Sequence, residues 1–109
     1  MENEENPDLS IIILNYNVKQ LLLNCLGSVF RSKGELDRWQ IIVVDNASKD
    51  GSVDEIKKQF PRVELVLNKE NLGFSAGNNV GVKFAKAPVI LFLNPQFLLY
   101  SSPFLFLLL

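Results

Sequence analysis

The sequence predicts an α/β fold, a parallel sheet with helices on both faces, and three observations carry that expectation. Ile41, Ile42, Val43 and Val44 form an unbroken β-branched run, which suits a strand covered on both faces and hence the interior of a parallel sheet. Residues 9–14 (LSIIIL) and 89–93 (VILFL) are further apolar runs of strand length. Stretches of helical periodicity separate the runs, so the order reads β-α-β-α-β-α-β, which right-handed crossovers wind into a layered sheet.

Residues 1–8 (MENEENPD) are acidic and polar and read as a frayed tail, unlike the basic-then-apolar order of a secretory leader. The first strand follows and ends in Asn15-Tyr16-Asn17. Over residues 18–31, Leu22, Cys25, Leu26, Val29 and Phe30 recur at the spacing of one helix face. Asn17 stands where it could cap that helix, and Gly34 where the helix would close. The central strand ends in a cluster of turn formers, Asp45 to Gly51, after which Ser52-x-x-Glu55 spells a capping box for a helix over 53–60. Pro61 cannot extend that helix. Residues 63–67 (VELVL) form a shorter, partly alternating strand expected nearer the sheet edge. A third helix is expected over 75–86, with Val80, Phe84, Ala76 and Val82 on its inner side. It contains Gly77 and Gly81, each costing roughly 1 kcal/mol against alanine in a helix interior, so either close packing or a nearby ligand is implied.

The fourth strand, 89–93, ends in Asn94-Pro95-Gln96. Residues 97–109 (FLLYSSPFLFLLL) are apolar and without clear period. With the fourth strand they approach the roughly 20 residues of a bilayer span, yet Asn94, Pro95, Gln96, Ser101, Ser102 and Pro103 interrupt them and no basic anchor flanks their end. They are read as an apolar tail, available for self-association or peripheral membrane contact.

With 109 residues the chain is one domain, or a piece of one. Its 11 basic and 12 acidic residues nearly balance, and no basic stripe is present to track a nucleic-acid backbone. The lone Cys25 excludes an internal disulfide, and its position on the apolar helix face makes it a core residue. The absence of histidine excludes His-based zinc sites and Ser-His or Cys-His catalysis within these residues. A cytoplasmic location, with peripheral contact at the inner membrane face as the variant, fits the leaderless start and the cysteine usage.

If the strands are parallel, Asn15-Tyr16-Asn17, Asp45-Asn46 and Asn94-Pro95-Gln96 converge on one edge, where open α/β sheets bind ligands. The segments SIIILNYN, IIVVDNASKDGS and NKENLGFSAGNNVGVKFAKAPVILFLNP, in this order, resemble the inverting family 2 glycosyltransferases of the GT-A fold, and among them the bacterial rhamnosyltransferase-like members that build surface polysaccharides. The resemblance covers residues 9–95. It implies a Rossmann-like sheet, here incomplete, over residues 9–96, which binds a nucleoside diphosphate sugar of UDP or dTDP type and transfers the sugar to an acceptor hydroxyl with inversion.

The resemblance assigns Asn15, Tyr16 and Asn17 to the loop along the nucleoside. It assigns Asp45, with Asn46 beside it, to accepting a hydrogen bond from a pyrimidine base, whose N3–H is a donor. Gly73 to Gly81, with Asn79, line the donor site, and Asn94 to Gln96 stand where the family holds Mg²⁺ or Mn²⁺. Members typically read Asn-Pro-Asp there. Gln96 offers only a neutral amide, a far weaker ligand for a hard cation. The family's acceptor-binding half and its catalytic base have no counterpart, so the chain reads as truncated and inactive alone, with no catalytic residue assigned. A non-catalytic nucleotide-binding or protein-interaction module is the alternative. Simpler roles stand beside each assignment: Asp45-Asn46 as a strand-ending turn, Tyr16 as packing, Lys49-Asp50 as solvated surface, and Asn94-Pro95 as a strand terminator.

Overall fold

The apolar runs become neighbouring parallel strands because each has to be covered on both faces. The computed structural model describes residues 6–35 and 37–98. Its elements follow as β1 (Leu9–Asn15), α1 (Lys19–Ser32), β2 (Trp39–Asp45), α2 (Ser52–Gln59), β3 (Glu64–Leu67), α3 (Phe74–Val82), β4 (Val89–Leu93) and a 3-10 turn over Pro95–Leu98. The strands form one all-parallel sheet in the order β3-β2-β1-β4. β1 and β2 pair from Leu9 opposite Trp39 to Asn15 opposite Asp45. The order reverses between β1 and β4, a topological switch point.

Alternation along the strands divides the core into two layers. Ile11, Ile13, Ile41, Val43 and Leu91 pack with Leu22, Cys25, Leu26 and Val29 of α1 and Ile56 of α2. Ile12, Ile42 and Val44 face the other way, toward Val80 and Ala85 of α3 and its following turn. α3 approaches this second face closely at its glycines. A Cβ on Gly81 would lie 2.7 Å from Ile12 Cγ2, and one on Gly77 would lie 2.6 Å from Leu14 Cδ1. Close packing is thus what the two glycines supply.

Several local expectations are corrected. α3 stops at Val82 rather than Lys86, because Lys83, Phe84 and Ala85 donate to carbonyls only three residues back, tightening the helix into a turn. Gln40 then pins that turn: its Nε2 donates to the Phe84 carbonyl and its Oε1 accepts from Lys86 N–H. Consequently Phe84, Val82 and Ala76 are exposed, while Gly77, Asn78 and Gly81 form the inner face. Gly34 does not cap α1, which ends by turning extended at Lys33. Asp8, read as part of a tail, is held by its N–H on the Arg38 carbonyl and by its carboxylate on the Arg38 guanidinium. The placement of β3 at an edge is as expected. Among the described residues no helix is long and apolar enough to cross a membrane. The tail reading of 97–109 falls mostly on residues 99–109, outside the described part, as does that of residues 1–5.

Candidate functional site

Parallel pairing puts the carboxyl ends of β2, β1 and β4 side by side on one edge, so the loops after Asn15, Asp45 and Leu93 are neighbours. Asn15 and Asp45 are register partners, and their side chains turn to the α1/α2 face. There the Asn15 amide Nδ2 donates to Asp45 Oδ1 at 2.7 Å, to Ser52 Oγ at 2.8 Å and to Ser48 Oγ at 3.2 Å. Asp45 Oδ2 accepts the Ser48 N–H at 2.9 Å. The surrounding acceptors fix the amide orientation, since a flipped Asn15 would set its oxygen against a carboxylate. Its Oδ1 is buried with no donor, an imperfection tolerated for the three bonds opposite.

Both oxygens of Asp45 are therefore committed within the loop, and the residue is only 3% exposed. The carboxylate that the resemblance aims at a pyrimidine base thus accepts one bond on each oxygen from its own loop neighbourhood. Asn46 leaves on the opposite face, equally buried, with Nδ2 on the Gly73 carbonyl at 3.2 Å and Oδ1 accepting from Asn68 Nδ2 at 2.8 Å. It thereby ties the start of α3 to the end of β2.

Asn17 is not a cap. It sits in the left-handed region at φ 52°, its N–H on Ser48 Oγ and its Oδ1 accepting from Lys49 N–H. This clasps the β1–α1 and β2–α2 loops together. The caps come from Asp50, which the sequence reading left on the solvated surface. Its Oδ2 accepts from Lys19 N–H, the first residue of α1, and its Oδ1 from both the amide and the hydroxyl of Ser52, the first of α2. Burial works against the charged form of Asp50. The bonds from the Ser52 hydroxyl, the Ser52 amide and the Lys19 amide outweigh it and hold the carboxyl below the ordinary aspartate range. No capping box forms, because Ser52 lies inside the helix and the left-handed Gly51 precedes it. The available signal for Asp50 was its place two residues before a helical serine, where an Asx-type bond reaches the next amides.

The remaining predicted residues stand apart from these networks. Tyr16 is 47% exposed, and Asn79 is exposed on α3 while its neighbour Asn78 is buried. Gly73 is exposed at φ 86°, opening α3 without a side-chain cap. Asn94 is half-buried and accepts Gln96 N–H on its Oδ1, so its oxygen closes a local turn. Gln96 is exposed. Among the described residues no group of three histidine, cysteine or carboxylate side chains is placed to hold a metal ion. The donor set at 94–96, one engaged amide and one free amide, does not fit a hard divalent cation.

The chain is 30% identical over 92 residues to the glycosyltransferase AglE of Haloferax volcanii, covering 81% of this chain and 30% of that protein. It is 30% identical over 106 residues to the minor teichoic acid biosynthesis protein GgaB of Bacillus subtilis, covering 94% of this chain and 12% of GgaB. It thus spans less than a third of these curated relatives. Its fold matches the Pyrobaculum calidifontis mannosyltransferase PcManGT, solved with GDP-Man and Mn²⁺, at TM-score 0.73 and 23% identity over 84% of this chain and 28% of that one. S. aureus TarS 1-349, solved with UDP, matches at TM-score 0.75 and 22% identity over 82% of this chain and 27% of that one. Residues 10–95 match the domain described as Glycosyl transferase family 2, and the chain belongs to that family.

Proposed function

We propose that this chain is the donor-binding part of a glycosyltransferase. On this reading it holds a nucleoside diphosphate sugar along the carboxyl edge of the sheet, and the reaction it serves moves a sugar, of hexosyl or rhamnosyl type, to an acceptor hydroxyl with inversion. The carrying observation is placement: the ends of β2, β1 and β4 adjoin, and the switch point between β1 and β4 opens the crevice where α/β sheets take ligands. Tyr16, Asn79 and Asn94 then meet the donor directly. Asn15, Asn17, Asp45 and Asn46 shape the cleft from inside, and Gly73 lets the α3 loop approach. Neighbours solved with UDP and with GDP-Man agree with a nucleotide donor and leave the base open between pyrimidine and purine.

Binding without turnover is the expected behaviour of these 109 residues. Inverting transfer needs a general base to take the acceptor proton. Among the carboxylates near the β1 and β2 ends, Asp45 has both oxygens engaged, Asp50 accepts three bonds and is of lowered basicity, Glu55 accepts from Gln59, and Asp54 is exposed on α2. Glu70 is exposed but follows β3, the strand farthest from β4.

Calorimetric titration with UDP, dTDP and GDP, each with and without Mn²⁺, tests the reading. At least one is expected to bind at about millimolar or tighter, weakened about tenfold by Tyr16→Ala, in line with the loss of one aromatic stacking contact. Binding to none of them overturns the donor assignment. Turnover of a nucleotide sugar by this chain, lost in Asp45→Ala, overturns the claim that no base is present.

A further inference from the structure

We infer that the donor's diphosphate is held without a divalent cation, by the open amides in the first turn of α3 together with the side-chain amide of Asn78. The inference rests on the donor-binding reading and says how the anionic part of that donor is met. It begins at residues 94–96, whose side chains do not suit a hard cation: Asn94 Oδ1 already accepts the Gln96 N–H, and Gln96 offers only a neutral carbonyl. A diphosphate on this edge therefore needs its charge answered by other groups of the chain.

The start of α3 supplies them. The Gly73 N–H is taken by Asn71 Oδ1, and the Gly73 carbonyl accepts from Gly77 N–H and from Asn46 Nδ2. The next three amides, of Phe74, Ser75 and Ala76, have no acceptor among the described residues, and all three residues are exposed. Gly73 brings the chain in at φ 86° and ψ −177°, a combination open essentially to glycine alone, and no side-chain cap closes the turn. The first turn carries no acid, and Lys69 and Glu70 in the loop before it offset one another.

Asn78, one turn further on, points independently to a ligand. It is only 9% exposed, yet its amide has no hydrogen-bond partner among the described residues. An amide buried this far ordinarily has one. Nor is it sealed in, because the unpartnered polar atom closed to solvent among the described residues is Asn15 Oδ1. Side chains on a helix lean toward its N-terminus, so Asn78 reaches back along the turn whose amides stand open. Its Nδ2 is then a fourth donor to a group seated there. Neutral donors at the positive end of a helix dipole suit phosphate oxygens and repel a cation.

Calorimetric titration of the full chain with inorganic diphosphate in EDTA, and with UDP, dTDP and GDP in EDTA and in Mn²⁺, tests this. Whichever nucleotide binds should do so with affinities within about twofold of one another in the two buffers. Asn78→Asp, close in shape but repelling an anion, should weaken nucleotide and inorganic diphosphate about tenfold or more with the far-UV spectrum unchanged. Phe74→Pro, the second variant should Asn78→Asp disturb folding, deletes one open amide at the helical position that tolerates proline, and it should weaken both in the same direction. Nucleotide binding that requires Mn²⁺ overturns the inference and leaves the donor reading standing. Cation-free binding that neither variant weakens places the phosphates elsewhere and also overturns it. Inorganic diphosphate bound in EDTA and lost in Asn78→Asp, with no nucleotide bound, upholds the anion site and overturns the donor reading. Binding of neither probe overturns both.

Discussion

Three helical glycines, differing mainly in what a methyl group would meet, give a graded test of how α3 is seated. At Gly81 an added Cβ would lie 2.7 Å from Ile12 Cγ2 and 3.0 Å from Val44 Cγ2. Both neighbours are fully buried, and both are β-branched and stiff at χ1, so neither can swing away. Overpacking of this kind costs about 1–3 kcal/mol, against a helix-propensity gain of at most about 1 kcal/mol. Gly81→Ala is therefore expected to lose a net ~1–2 kcal/mol. At Gly77 the closest atom, at 2.6 Å, is the end of the half-buried Leu14 side chain, which can rotate, but the buried Asn46 amide at 3.1 Å is held by its own bonds, so Gly77→Ala should lose stability, though less than Gly81→Ala. At Gly27 in α1 the nearest atom is Arg31 Nη1 at 3.2 Å, the tip of an exposed flexible chain, and alanine should stabilise by about 0.5–1 kcal/mol. Urea unfolding followed by circular dichroism reads all three on one scale, with thermal shifts of roughly 4–8 °C per kcal/mol as a check. If Gly81→Ala matched Gly27→Ala in sign, the close approach of α3 to the sheet would be refuted.

Other expectations follow from the polar loop and the core. Asp45→Asn should destabilise nearly as much as Asp45→Ala, by about 1–3 kcal/mol, because an amide must turn a donor toward either Asn15 Nδ2 or the Ser48 N–H. Unchanged urea midpoints for both variants would show that the carboxylate does not hold the loop. The Asp50 carboxyl lies below its unfolded value, so its stabilisation is complete above that unfolded value and fades as pH falls through the folded one. The stability gap between the native protein and Asp50→Asn should thus narrow on acidification, and a gap constant down to the lowest folded pH would contradict it. Burial raises the Cys25 thiol to about 12, so a thiol reagent should label it only on unfolding. Stoichiometric labelling of the native protein at neutral pH would argue against the packing of α1.

What was legible in the sequence was whatever one period or one run encodes. The β-branched run at 41–44 and the spacing of Leu22, Cys25, Leu26 and Val29 answer only to local geometry and burial, and both layers of the core follow from them. The extent of α3 was not legible, because Gln40, far away in sequence, ends it by taking the Phe84 carbonyl and the Lys86 amide. The caps misled for a similar reason. Asn17 and Ser52 carry cap-forming side chains, but those side chains serve contacts more than thirty residues away, to Lys49 and from Asn15. Asp50 was left to cap both helices. Residue type announces the capacity for a hydrogen bond; only the fold decides who receives it. The site shows the same division, since parallel order predicted which loops adjoin but not that Asp45 would also bond Asn15 and the Ser48 amide among them.

The distribution of resident charge at the helix ends bears on where an anionic donor could lie. Helices that follow parallel strands aim their N-termini at the carboxyl edge, each presenting a partial positive charge. At α1 and α2 that charge is already met by Asp50, and α2 adds Asp54 and Glu55 in its first turn. α3 differs: Gly73 opens it, with no side-chain cap and no acid in its first turn. Its end is held to the strand edge by Asn46 through the Gly73 carbonyl, which leaves the amide direction unopposed. On the donor-binding reading, the diphosphate is disfavoured beside Asp50 and drawn toward the start of α3, which Asn46 ties to the end of β2. Asp50 then matters to binding only by holding two helices still. Removing it should weaken the fold well before it alters nucleotide affinity in the population that remains folded.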